Sequence, residues 1–200
     1  MMKLVFASNN PHKIREIRSI LGPGFSVSGL ADIGCTEDIP EPFKTLEENA
    51  LAKARHVYRH YGMDCFSDDS GLEVEALGGL PGVLSARFAG PGKAGPDNVR
   101  KLLQMMKTAQ SRRARFRTVM ALIIGGREYT FEGIVNGTIT EEPAGSGGFG
   151  YDPVFVPDGH EKRFSEMPEE EKNRISHRYR ALEQLVEFLE RLRGVSDLPG

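Results

Sequence analysis

The segment Ser67-Asp68-Asp69-Ser70-Gly71 sets two adjacent carboxylates before a hydroxyl and a glycine. Oxygen donors of this kind suit a hard cation such as magnesium, which keeps several waters and is held by one or two carboxylates plus phosphate oxygens. An acidic turn with Asp69 as its cap accounts for the same residues. Upstream, Glu41, Glu47 and Glu48 are further carboxylates. Glu48 lies three residues after Thr45, the spacing of a capping box, so it reads either as a helix-start partner or as a ligand. Asn49 and Lys53 are four apart and share one helical face. Lys53 reads equally as a phosphate contact or a solvated lysine.

Three further segments carry groups for an anionic ligand. Ser8, Asn9, Asn10, Pro11, His12 and Lys13 sit between a strand and a helix, where unpaired N–H groups and the dipole attract phosphate. A plain capped helix start with a surface lysine explains them as well. Gly145-Ser146-Gly147-Gly148-Phe149-Gly150-Tyr151-Asp152-Pro153 contains a formal GxGxxG, but turn and strand residues follow it rather than a helix. It is therefore neither a dinucleotide fingerprint nor a P-loop. Its glycines suit a loop that approaches a ligand closely, with Phe149 available to stack on a base; a hairpin loop with a core phenylalanine is the alternative. Lys172, His177 and Arg178 cluster at the entrance to the last helix, where positive side chains oppose the dipole unless something is bound.

These residues need elements to position them. Leu4 to Ala7 reads as a buried strand, and Pro11 opens a helix with Ile14, Ile17, Ile20 and Leu21 inward, ending at Gly22. Thr45 caps a second helix carrying Leu46, Ala50, Ala54 and Val57 to Gly62. A short strand Cys65-Phe66-Ser67 delivers the acid pair at its end. A half-exposed strand with Leu72, Val74 and Ala76 on one face follows. A third helix covers Asp97 to Lys107. Arg115 to Ile124 and Glu128 to Val135 flank Gly125-Gly126 as a hairpin, and a final helix opens at Ser176. Strands and helices alternate at both ends with antiparallel character between, which predicts an α/β fold with a mixed β-sheet.

At 200 residues with 39% hydrophobic and 27% charged, the chain can bury a full core as a single domain over 1–200. The net charge of −2 leaves no global field for nucleic acid or membrane, so cations that hold an anion must be local. The strongest rival reading is a nucleic-acid module built on Ser111-Arg112-Arg113-Ala114-Arg115-Phe116-Arg117. As a strand entry, that run reads equally as a solvated sheet face. Cys35 and Cys65 have no metal-ligand spacing and suit a reducing compartment, and no apolar run is long enough to span a bilayer. The expected location is cytoplasmic.

Taken in order, SNNPHK, EENALAKA, SDDSGLEVEALGGLPGVLSARFAG, GSGGFGYDPVF and KNRISHR resemble the inosine triphosphate pyrophosphatase family from Leu4 to about Leu192. The resemblance implies a long mixed sheet with flanking helices in two lobes around a nucleotide cleft, and a homodimer. It implies hydrolysis of ITP, dITP and XTP to monophosphate and pyrophosphate with Mg2+. Ser8 to Lys13 would hold the triphosphate. Asp69 would be the base or metal-organising carboxylate, with Ser70 beside the substrate. Phe149, Gly150, Tyr151 and Asp152 would frame the nucleoside, and Lys172, His177 and Arg178 would complete the phosphate and base contacts. The family's Glu-x-Gly-x-Thr-Phe appears here as Glu41-Pro42-Phe43-Lys44-Thr45-Leu46, without the glycine, and Glu41 is the expected second metal carboxylate.

Overall fold

In the computed structural model, residues 2–21, 24–92 and 95–196 are described. Gly22, the expected end of the first helix, lies outside them. Strand β1 (Met2–Phe6) leads into helix α1 (Pro11–Ile20), then β2 (Phe25–Gly29). Helix α2 (Leu46–Tyr61) precedes β3 (Cys65–Val74) and α3 (Gly95–Met105). Strands β4 (Arg113–Ile124), β5 (Arg127–Ile139) and β6 (Phe155–Pro157) follow, before α4 (Glu169–Ile175) and α5 (His177–Ser196). The strands form one six-stranded sheet in the order β2-β1-β3-β4-β5-β6. It is mixed: β1 runs parallel to β2 and β3, whereas β5 and β6 are antiparallel. The α/β reading is correct.

Local chemistry explains the boundaries. Asn10 caps α1 by accepting from the His12 and Lys13 amides, and Pro11 stands at a first-turn position where its missing N–H is no loss. Thr45 caps α2 by accepting from the Glu48 amide, and Gly62 ends it in the left-handed region. Gly125 and Gly126, at φ 54° and 77°, make the positive-φ pair that a tight hairpin between β4 and β5 requires.

The structure corrects the sequence reading at several places. The acid pair does not end a short strand: β3 runs on through Asp68 and Asp69 to Val74 without a break. Nor is its second half half-exposed; only Ser70 and Glu73 in the whole strand are less than buried. Ala76 belongs to a 3-10 turn, Glu75–Leu77, rather than to the strand. Strand β2 and helix α4 are not anticipated from sequence: β2 alternates Phe25-Ser26-Val27-Ser28 but over only five residues, and α4 is a short, largely charged helix.

Two compact units emerge, and neither is one contiguous stretch. Unit 1 comprises Met1–Asp69, Val119–Gly133 and Tyr179–Gly200; unit 2 comprises Ser70–Thr118 and Ile134–Arg178. Each has its own core. In unit 1, Leu4, Phe6, Ile17, Phe66, Met120 and Leu122 pack with Ala181, Leu182, Leu185 and Leu189 of α5. In unit 2, Leu72, Val74, Leu102, Met106 and Val154 pack around Phe116, Phe155 and Phe164.

Phe66 stacks on Phe6 with ring centroids 4.9 Å apart, and both are fully buried. Phe66→Ala should lower stability by about 3–5 kcal/mol, read from the urea midpoint. A loss below about 1 kcal/mol would mean that this ring pair does not anchor the strand carrying the acids.

Candidate active site

In unit 1, helix α2 turns its buried face, which includes Asn49 and Lys53, toward the segment of β3 that carries Asp68 and Asp69. Lys13 Nζ lies 3.0 and 2.9 Å from the two oxygens of Asp68, a carboxylate only 1% exposed. Lys53 Nζ donates to a Glu41 carboxylate oxygen and, at 2.6 Å, to the Asp68 carbonyl. Asn49 Nδ2 donates to Asp69 Oδ2 at 3.1 Å. Three carboxylates thus face two ammonium groups in a buried cluster.

Burial and charge compete at each member. Burial pushes Asp69 up to about 6; Lys53 pulls the other way and Glu41 adds to the rise. Burial alone would depress the Lys53 ammonium, but Glu41, Asp68 and Asp69 outweigh it and hold Lys53 above its ordinary value. Glu41 shows the converse: burial raises it, and the Lys53 ammonium overcomes that and leaves it lowered. Of Glu41 and Asp69, burial wins on Asp69, as a proton acceptor working near neutrality requires.

In unit 2 the glycine-rich loop wraps an acid. Asp152, 3% exposed, accepts from Lys172 Nζ at 2.6 Å and from the Phe149 amide at 2.7 Å. Gly148 sits at φ 73°, and a Cβ there would collide with the Asp152 carboxylate. The glycines are needed for this close approach within the chain. Lys172 Nζ also lies 4.7 Å from the centre of the Phe149 ring, and the Arg178 guanidinium 5.8 Å from it, so two cations face one half-buried aromatic. Arg178, 1% exposed, donates to Ser70 Oγ at 3.4 Å, and Ser70 shares a 2.8 Å hydrogen bond with Thr118. His177 stacks on Phe116 at 4.7 Å and 9°.

The structure therefore brings Lys13, Glu41, Lys53 and Asp69 into one cluster, and Ser70, Phe149, Asp152, Lys172 and Arg178 into another. Other expected contacts sit differently. The α1 start realises the capping reading, because Asn10 already takes the His12 and Lys13 amides and Ser8 Oγ takes that of Asn10. Asn9 and His12 are exposed, and His12 meets Arg15. Lys13 and Lys53 are ion-paired rather than solvated. Tyr151 is a core residue whose hydroxyl donates to the Ser85 carbonyl at 2.9 Å, which fits a structural role better than framing a nucleoside. Gly150, at φ 62°, is an exposed turn residue. From sequence, Asp68 reads only as half of a cation-binding acid pair, Asn49 only as sharing a face with Lys53, and Thr118 has no role. The four-residue spacing of Asn49 and Lys53 was a usable signal for Asn49; nothing in the sequence marked Thr118.

The arginine run reads as a paired face at the start of the interior strand β4. Arg113 makes a two-pronged pair with Asp158 at 2.8 and 2.9 Å, and Arg115 and Arg117 pair with Glu73 at 2.6 and 3.7 Å. Among the described residues no helix is long and apolar enough to cross a membrane, and Cys35 and Cys65 are both free thiols.

Glu41 and Asp69 are hard oxygen donors of the kind that take magnesium. Among the described residues no three His, Cys, Asp or Glu side chains converge as a ready cage. That arrangement fits a cation bound through one or two carboxylates, with water and phosphate completing its shell.

The raised Asp69 pKa has a consequence for stability. Its folded value of about 6 exceeds the ordinary 3.8, so ionising it destabilises the native state at neutral pH, and the penalty fades as pH falls through that interval. In metal-free protein, Asp69→Asn should therefore be more stable than the parent at pH 7.5, by up to about 3 kcal/mol. The gap should close by pH 4. Thermal unfolding in chelator at the two pH values reads it; equal stabilities at pH 7.5 would mean that Asp69 is ionised there without penalty.

Comparison with known proteins adds a lineage to this geometry. The Ham1 family matches residues 4–188. A "dITP/XTP pyrophosphatase" of Porphyromonas gingivalis is 56% identical over 190 residues, covering 94% of this chain and 98% of the relative. The solved Ham1 protein of Coxiella burnetii superposes with a TM-score of 0.89 at 36% identity, covering 96% of this chain and 100% of that one. For the Staphylococcus aureus Ham1 protein the values are 0.87 and 38%, with 94% and 98% covered. With a match over nearly its whole length, this chain belongs to the Ham1 family.

Proposed function

We propose that the chain hydrolyses the non-standard purine nucleoside triphosphates ITP, dITP and XTP to the monophosphate and pyrophosphate, clearing them from the nucleotide pool before they enter DNA or RNA. The observation that carries this reading is the buried Asp69, raised toward neutrality and set among Lys13, Lys53, Glu41 and Asp68. The names of the similar proteins agree with it.

Unit 1 supplies the groups for the phosphates. Lys13 and Lys53 turn from their carboxylate partners toward phosphate oxygens and stabilise charge moving onto the leaving pyrophosphate. Ser8, Asn9, Asn10 and His12 border that position as hydrogen-bonding groups. Asp69 and Glu41, together with phosphate oxygens, would hold magnesium, which when bound would supply charge neutralisation and a more acidic water. Asp69 orients that water and accepts its proton as it attacks the α-phosphorus.

Unit 2 supplies the groups for the nucleoside. Phe149 offers a face to the base, and Lys172, locked to Asp152, keeps that ring in place. Arg178 can only donate hydrogen bonds, so it pairs with the 6-oxo group of hypoxanthine or xanthine and is left unpaired against the amine of adenine. His177 stands beside it as a second donor. Ser70, next in the chain to Asp69, contacts the substrate directly. The two units work as one domain, and the active protein is a cytoplasmic homodimer; light scattering should give twice the chain mass.

The test is pyrophosphate release from dITP, XTP, ITP, GTP and ATP, with and without magnesium. Rapid, magnesium-dependent turnover of the first three is expected. Comparable turnover of ATP would defeat the selectivity, and inorganic phosphate as first product would place cleavage at the wrong bond. Asp69→Asn should lower kcat by several powers of ten while the fold is retained.

A further inference from the structure

Asn49 makes three hydrogen bonds that no other side chain in unit 1 could replace together. It is fully buried, in the first turn of α2. Its Oδ1 accepts from the Phe43 amide at 2.9 Å, and its Nδ2 donates to the Phe43 carbonyl at 3.3 Å and to Asp69 Oδ2 at 3.1 Å. One amide therefore grips both backbone groups of a residue two positions after Glu41 and, with the same nitrogen, a carboxylate oxygen on β3. A primary amide is suited to this, since it presents an acceptor and two donors in one plane.

We propose that Asn49 is a positioning residue that ties the Glu41-bearing segment to Asp69 and fixes the orientation of the Asp69 carboxylate through its Oδ2. This rests on the function proposed above. Asn49 touches neither substrate nor reacting atoms; it acts through the two carboxylates. Asn49 holds only the backbone of Phe43, and the ring is 44% exposed. A side chain at that position thus leaves the clamp intact. Without the clamp, Glu41 would be held chiefly by its pair with Lys53, and Lys53 is the group that must turn toward phosphate in the proposed reaction.

The neighbouring Lys44 is exposed, so trypsin reports on the segment directly. In Asn49→Ala, which removes all three bonds, native-state cleavage after Lys44 should accelerate about tenfold relative to other sites, as expected when a local opening becomes easier. Its kcat should fall on the order of 10- to 100-fold with a smaller change in KM, the signature of misplaced groups rather than lost binding. Asn49→Asp keeps the acceptor for the Phe43 amide and loses both donations. It should show the fall in kcat with less nicking, and it carries the test should the alanine variant not fold. Cleavage that rises equally at every site, or a folded variant with parental kcat, would overturn the proposal. Absence of any pyrophosphatase activity in the parent would instead remove the functional reading, while the nicking pattern would still decide whether the clamp exists.

Discussion

Burying acids next to ammonium groups, in a chain that must remain ready to bind a polyanion, is the constraint on which unit 1 depends. Lys13 neutralises Asp68, and Lys53 bridges Glu41 and the Asp68 backbone. Such pairs are costly to desolvate and costly to break singly, because the partner left behind is a buried charge. Their positions must therefore be held firmly. The caps of α1 and α2, the continuity of β3 and the Phe6–Phe66 stack all serve that end.

The same logic recurs in unit 2 with different partners. Asp152 collects Lys172 and the Phe149 amide, and the loop glycines exist so that backbone can close over the carboxylate. Rigidity there is aromatic as well as ionic: Phe116 is flanked by Phe155 and by His177. The base-recognition surface proposed for Phe149 and Arg178 would gain its orientation from groups that do not themselves meet the base.

Much of this could be read from residue order. Helix starts at Pro11 and Thr45 announced themselves because capping chemistry is local, and the Gly125-Gly126 hairpin did so because positive φ is a property of residue type. The polar segments stood out as candidates for the same reason. What could not be read were partnerships across long sequence separations. Lys13 and Asp68 lie 55 residues apart, and Ser70 and Arg178 108 apart. The continuity of β3 through two aspartates was hidden because acids are poor strand formers, and only tertiary burial overrides that preference. The glycines of the glycine-rich loop do mark a close approach, made within the chain to Asp152.

The two-pronged pair between Lys13 and Asp68 also bears on turnover. In the proposed reaction the ammonium must exchange this carboxylate for phosphate, a trade that a long, highly charged tail favours far more than its fragments do. Once the anhydride bond is cut, each product carries less charge, and Asp68 stands ready to reclaim its cation. The resting ion pair thus acts as a built-in competitor that hastens departure of spent ligand and keeps small ambient anions from lodging in its place.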